Sequence, residues 1–167
     1  RRWARDWLGD IQPRPTPSST PRPRSVDRKT SVAEIVASCK GIAASPAAAY
    51  LRNRGITKAP PASIMFRHFA AGQHGALVAL ATDAAGDVLA VQQIYLTNDG
   101  QKAPVDVVKR TNKAVDGWSD RAAVRIPGIQ PLVLCEGIEN ALSIWQATGQ
   151  ETWACLGISN IARAPVP

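Results

Sequence analysis

Two apolar runs joined by an amphipathic helix set the tightest limit on what this chain can become. Residues 132–135 run without a polar side chain into Glu136 and Gly137, and residues 152–156, "TWACL", are again almost all apolar or small. Between them Ile138, Ala141, Leu142 and Trp145 share one face of a helix predicted over 138–148, which Gly149 ends. A strand apolar throughout suits burial on both faces of a parallel sheet. Predicted strands 131–135 and 152–156 with their crossover helix therefore read as a β–α–β unit. The loop at 157–160 opens one more predicted helix, "NIARA", stopped by Pro165. Two parallel strands alone make no stable sheet of this kind, so the sequence reads as cut short. In open parallel sheets sites gather beyond the carboxyl ends of the strands, where Glu136 stands. A carboxylate there could act as a general acid or base, or as a ligand for a hard divalent cation. It could equally be an acid favoured at a helix N-terminus by about 0.3–1 kcal/mol.

Upstream the pattern differs. Trp3, Trp7 and Leu8 have helical spacing before Gly9, so residues 1–10 read as the end of a preceding helix. Residues 11–29 are rich in proline, serine and arginine, and are expected to be an extended linker. Residues 30–128 open with two predicted helices, "TSVAEIVASCKG" and "SPAAAYLRNRGI", each with a Ser or Thr cap and a closing glycine, which together predict a helical hairpin. Arg52 and Arg54 suit the second helix's C-terminal dipole. Strands are then predicted at 75–82 and 87–96, joined by a turn at 83–86, with further pairing segments at 104–110 and 121–128. The fold class expected is α+β: the hairpin covering a small antiparallel sheet, then, over 129–167, the start of a parallel sheet.

Charge narrows the partners. Of the net +7, residues 1–30 hold +5 and the rest +2, which suits contact with a polyanion or a merely solvated basic linker. Lys102, Lys109, Arg110, Lys113, Arg121 and Arg125 form a loose basic set, of which Lys109, Arg110, Lys113 and Arg125 are the candidate phosphate contacts. Asp106, Asp116 and Asp120 are interleaved with them and offset half the charge. Trp118, in a polar loop, could stack on a base or pack over the sheet. Cys39, Cys135 and Cys155 are unclustered and read as small hydrophobes, and His68 and His74 belong to no cluster. No apolar run approaches a membrane span, and the N-terminus is unlike a secretory signal, so a cytoplasmic protein is expected.

The stretch "LVLCEGIENALSIWQATGQETWACLGISNIARAP" resembles the first half of a Toprim domain, most closely that of the primases of phages, plasmids and integrated elements. "AAYLRNRGI", "QQIYLTNDGQKA", "KRT" and "AAVRI" resemble the segment preceding the Toprim domain in those primases, and "WARDWLG" the helix after their zinc finger. The resemblance implies synthesis of RNA primers on single-stranded DNA by Mg²⁺-dependent nucleotidyl transfer, with Mn²⁺ as an alternative ion. Glu136 would be the catalytic, metal-associated acid and Glu139 a second metal acid. Gly137 would form the tight turn, and Gly157, Ser159 and Asn160 would border the site. The implied partners are a single-stranded template, nucleoside triphosphates and a replicative helicase. Zinc would belong only to a finger outside this chain. The family's Asp-x-Asp is missing from the sequence, so the chain is expected to be inactive by itself. A non-catalytic nucleic-acid-binding or interaction module with a Toprim shell and a Toprim nuclease are the alternatives. A topoisomerase is disfavoured, because Tyr50 and Tyr95 lie inside helix and strand patterns.

Overall fold

The computed structural model describes residues 31–69 and 74–167. The terminal helix and proline-rich linker read from residues 1–29 lie outside that range. In order, the elements are α1 (Val32–Ala37), β1 (Cys39–Lys40), α2 (Pro46–Asn53), β2 (Ile64–Arg67), β3 (Gly75–Thr82), β4 (Val88–Leu96) and β5 (Lys109–Lys113). A 3₁₀ turn (Trp118–Asp120) follows, then β6 (Val124–Ile126), β7 (Ile129–Cys135), α3 (Ile138–Thr148), β8 (Gln150–Ala154) and α4 (Ile158–Ile161). The class is α+β. Strands β1 to β5 form an antiparallel sheet in sequence order, and a second sheet has the order β6-β8-β7.

The two early helices do not form a hairpin. In α1 a capping box joins Ser31 and Glu34, and its buried Val32 and Ile35 pack with Ala76, Val78 and Val91 on one face of the first sheet. Helix α2 starts at a Ser45 cap with Pro46 in its first turn. It buries Ala47, Tyr50 and Leu51 against the opposite face, with Leu77, Ala79 and Ile94. Cys39 and Lys40 intervene as a short strand paired with Arg67 and Phe66. The sheet is thus covered on both sides, and nearly all of β4 is buried. Even Gln92 and Gln93 are buried there, their amides donating to Thr111 and Asn112 of β5.

The hairpin turn after β3 lies as predicted, with Asp83 accepting from the amides of Ala85 and Asp87 at 3.0 Å each. The next pairing segment is displaced, from 104–110 to Lys109–Lys113. Tyr95 explains the shift. Its carbonyl accepts from Ala103 and its amide donates to Val108, both at 2.9 Å. Residues 104–107 bulge out between these bonds, because Pro104 has no N–H to continue a ladder.

The second sheet is mixed. Strands β7 and β8 pair in parallel through the α3 crossover, whereas β6 pairs antiparallel with β8. Both predicted strands start two residues early, at Ile129 and Gln150. The last helix is a four-residue turn beginning at Ile158, ahead of the predicted "NIARA". The expected boundary near 129 falls inside this sheet and inside one core, in which Leu77, Ala81 and Ile94 are clustered with Val124, Ile126, Cys135, Leu142 and Trp145. Trp153 and Trp145 are buried, and Trp118 packs against the core. Burial pushes the thiols of Cys39, Cys135 and Cys155 above their ordinary pKa, the setting of inert cysteines.

Candidate functional site

Glu136 is exposed at the carboxyl end of β7. With Asn140, Ser143 and the apolar Leu134, Ile144, Ile158 and Ile161 it lines an open depression of about 450 Å³. Gly137, the N-cap of α3, has φ −121° and ψ 159°, an extended conformation open to any residue. A Cβ there would meet only the Glu139 Oε2 at 3.7 Å, so the turn does not depend on glycine. At the opposite rim, Asn160 Nδ2 donates to the Cys155 carbonyl at 3.0 Å, and its Oδ1 accepts from Arg163 at 2.9 Å. Asn160 thus ties the loop after Gly157 to the end of β8. Ser159 is exposed, and Leu156 just before the loop adopts φ 60°.

Glu139 does not line that depression. Its Oε1 accepts from the Tyr50 hydroxyl at 2.8 Å and its Oε2 from Lys109 Nζ at 3.1 Å. The ammonium lies 3.0 Å from Oε1 as well. Burial pushes this carboxyl up, but its own backbone N–H and the bonds from Lys109 and Tyr50 outweigh burial and hold it below the usual carboxylate range. Burial first, and then the bond to Glu139, push the Tyr50 hydroxyl well above its ordinary pKa. Both Glu139 oxygens are thus occupied, beside a cation. A site for Mg²⁺ needs several oxygen donors in octahedral array. Glu136 offers one carboxylate, Glu139 is engaged elsewhere, and among the described residues no group of three His, Cys, Asp or Glu could hold a metal. These residues do not by themselves fit the ion.

The four expected phosphate contacts do not converge. In β5, Lys109 lies opposite Ile94 and Lys113 opposite Ala90, whereas Arg110 lies opposite Gln93. Alternation along the strand therefore puts the two lysines on one face and Arg110 on the other. Lys113 is ion-paired with Asp116. Arg125, in the second sheet, stacks 4.2 Å from the Trp153 ring, and its buried Nε has no hydrogen-bond partner.

A different cationic site forms between α2 and the turn after β4. Tyr50, Asn53, Arg54, Gly100, Gln101 and Lys102 line a groove of about 460 Å³ with no carboxylate in its lining. The Arg54 guanidinium lies 4.8 Å from the Tyr50 ring centre. Gly100, at φ +77°, is what lets the turn approach the helix, since a Cβ would stand 2.7 Å from both Ala49 Cβ and the Tyr50 nitrogen. Such a groove can take an anionic group. Sequence reading missed it by assigning Arg54 to the helix dipole. The available signal was the i, i+4 spacing of Tyr50 and Arg54, which puts both on one helical face. The groove and Glu136 are joined, because Tyr50 bonds Glu139 in the first turn of the helix that follows Glu136.

A family model described as "Domain of unknown function (DUF7146)" matches residues 26–122. The match includes every described element from α1 through the 3₁₀ turn and stops short of β6. No curated protein and no solved structure matches the chain.

Proposed function

The chain belongs to the DUF7146 family, and we propose that it is the template-handling part of a Toprim-type primase. On this reading the phosphates of single-stranded DNA lie in the groove of Arg54 and Lys102, and Glu136 is one acid of a nucleotidyl-transfer site. One observation carries it: a groove with two cations and no lining carboxylate, tied through Tyr50 and Glu139 to the turn that presents Glu136. The parallel β7–α3–β8 crossover supports the Toprim-like reading of residues 129–167. The described residues supply no complete metal site, so the chain by itself binds DNA without joining nucleotides. That same shortage of acids favours the non-catalytic binding module as the second reading.

The test is anisotropy of a labelled dT20 titrated with the full chain at about 50 mM salt and above, where log affinity falls with log salt by about 0.7 per phosphate contacted. Salt-sensitive binding is expected, weakened and with a shallower slope in Arg54→Ala/Lys102→Ala, and with no primer formed from added ribonucleotides and Mg²⁺. Binding that the double variant leaves unchanged, or none at low salt, overturns the proposal. Cleavage of the oligonucleotide would favour the nuclease.

A further inference from the structure

A cleft of about 390 Å³ lies between the loop after β1, helix α2 and the loop after α2, lined by Ile42, Ala43, Ala48, Leu51 and Ile56 among others. Leu51 and Ile56 are buried, whereas Ala43 and Ala44 are exposed. Two cations border this apolar lining. Arg52 comes from the last turn of α2, and the Lys58 ammonium rests 3.8 Å from the Trp145 ring centre. No carboxylate is in the lining. Residues 1–10 lie outside the described range, but their sequence is matched to such a cleft. In "RRWARDWLGD" Trp3 and Trp7 share one face at helical spacing. Asp6 stands beside them, at i+3 from Trp3, and Arg1 and Arg5 fall on the far side.

We infer that residues 3–8 of this chain dock in this cleft as a helical turn, with Trp3 and Trp7 over Ala43 and Ala48 and Asp6 toward Arg52 and Lys58. An amphipathic helix lays its apolar face into an apolar groove in this way, and small alanine side chains leave room for an indole. The depression beside Glu136 is apolar too, but it presents an acid, which Asp6 would meet as a like charge. The tether reaches. Gly41 is ten residues from Ser31 and so at most about 35 Å away, whereas residues 9–30 extend over up to about 70 Å. A flexible tether of that length has an r.m.s. span of about 25 Å. It holds the segment at an effective concentration on the order of millimolar, enough to populate a contact too weak to capture a free peptide. The inference stands without the nucleic-acid reading above. Docking would carry the proline-rich residues 11–29, with Arg14, Arg22, Arg24 and Arg28, past the β1 edge to the α2 side of the sheet.

The experiment uses the full chain labelled with nitrogen-15, whose five tryptophans give five indole N–H signals. Trp3→Phe and Trp7→Phe each remove one signal and so assign two. Both signals should stand apart from their positions in a synthetic peptide of residues 1–10, and should relax at the rate of the folded body. Arg52→Glu and Ala43→Glu change exposed positions and put an acid where Asp6 would lie. Each should return both signals to the free-peptide positions, while the Trp118 and Trp153 signals stay in place and report an intact fold. Free-peptide positions in the native chain overturn the inference. So do displaced signals that neither variant moves, which would place the segment elsewhere on the body. Displaced signals that revert on dilution would assign the cleft to the segment of a second copy, and overturn docking within one chain.

Discussion

Glu139 is where the sequence alone says least. At i+3 from Glu136 it reads as a second metal acid or as a solvated side chain, yet its partners lie 89 residues away in α2 and 30 away in β5. No local pattern encodes such a meeting. Exposed as the chain writes them, Tyr50 and Lys109 look like helix core and phosphate contact. The pair geometry, not the residue types, sets their part. Replacing Glu139 by Gln leaves Lys109 without its counter-ion at a side chain only 15 % exposed. The expected loss is about 1–2 kcal/mol, discounted because Lys109 is partly solvated, and a lower urea midpoint at pH 7 would register it. The carboxyl is held below its usual pKa in the folded chain. Its contribution therefore stands whole above the unfolded value of about 4.3 and is lost as pH falls through the folded one. The gap between native and Glu139→Gln midpoints should narrow as pH falls below about 4.3 and close once pH is below the folded value. A gap that persists there would mean that packing, not charge, carries the effect.

At the scale of elements, periodicity located the helices and most strands, because each buries one stripe or face and that leaves a mark in the sequence. It could not say against what. The helices α1 and α2 carry similar apolar stripes, and only the intervening two-residue strand puts them on opposite sides of a sheet. The βαβ unit was legible because its strands are apolar runs and its helix is long. But β7 lies at the sheet edge with only Cys135 of its residues fully buried, so the double burial that its composition suggested is not met. Its antiparallel partner β6 was legible only as a strand, since "VRI" carries no sign of what it pairs with. One contact between elements has a sharp readout. The Gln146 side chain of α3 accepts from the amides of Thr57 and Lys58, at 2.6 and 2.8 Å, and donates to the Gly55 carbonyl at 2.8 Å. In Gln146→Ala those two amides lose their acceptor. Hydrogen exchange at Thr57 and Lys58 should approach unprotected rates, with about 1 kcal/mol lost globally. Retained protection would show that the loop after α2 holds itself.

For the molecule as a whole, the matched family segment and the folding unit differ. The family match ends at residue 122, but the face of the first sheet bearing Leu77, Ala81 and Ile94 shares its core with Val124, Ile126, Cys135, Leu142 and Trp145. The bridge from Thr82 to Ala123 and the Ser63 bond to the Arg125 carbonyl at 3.1 Å join the same parts. A fragment of residues 26–122 should therefore bind a hydrophobic dye and unfold without a cooperative transition, while the full chain unfolds in one step. A cooperative, dye-free fragment would show that the matched segment closes its own core. The change from alternating to continuous apolar strands near residues 128 and 129 marks no gap in burial, since the shared core crosses it.

The shared core also has a consequence in time. During synthesis the hairpins of the first sheet can pair as soon as they emerge, since each strand from β2 to β5 is bonded to its neighbour in sequence. The part of their apolar face that α2 leaves bare must then wait for β6, α3 and β8, and β8 lies about 40 residues after β5. At translation rates of about 5–20 residues per second that is roughly 2–8 s. For those seconds the nascent chain shows a sheet with one face only partly covered by α2, the state in which a ribosome-bound chaperone would find it.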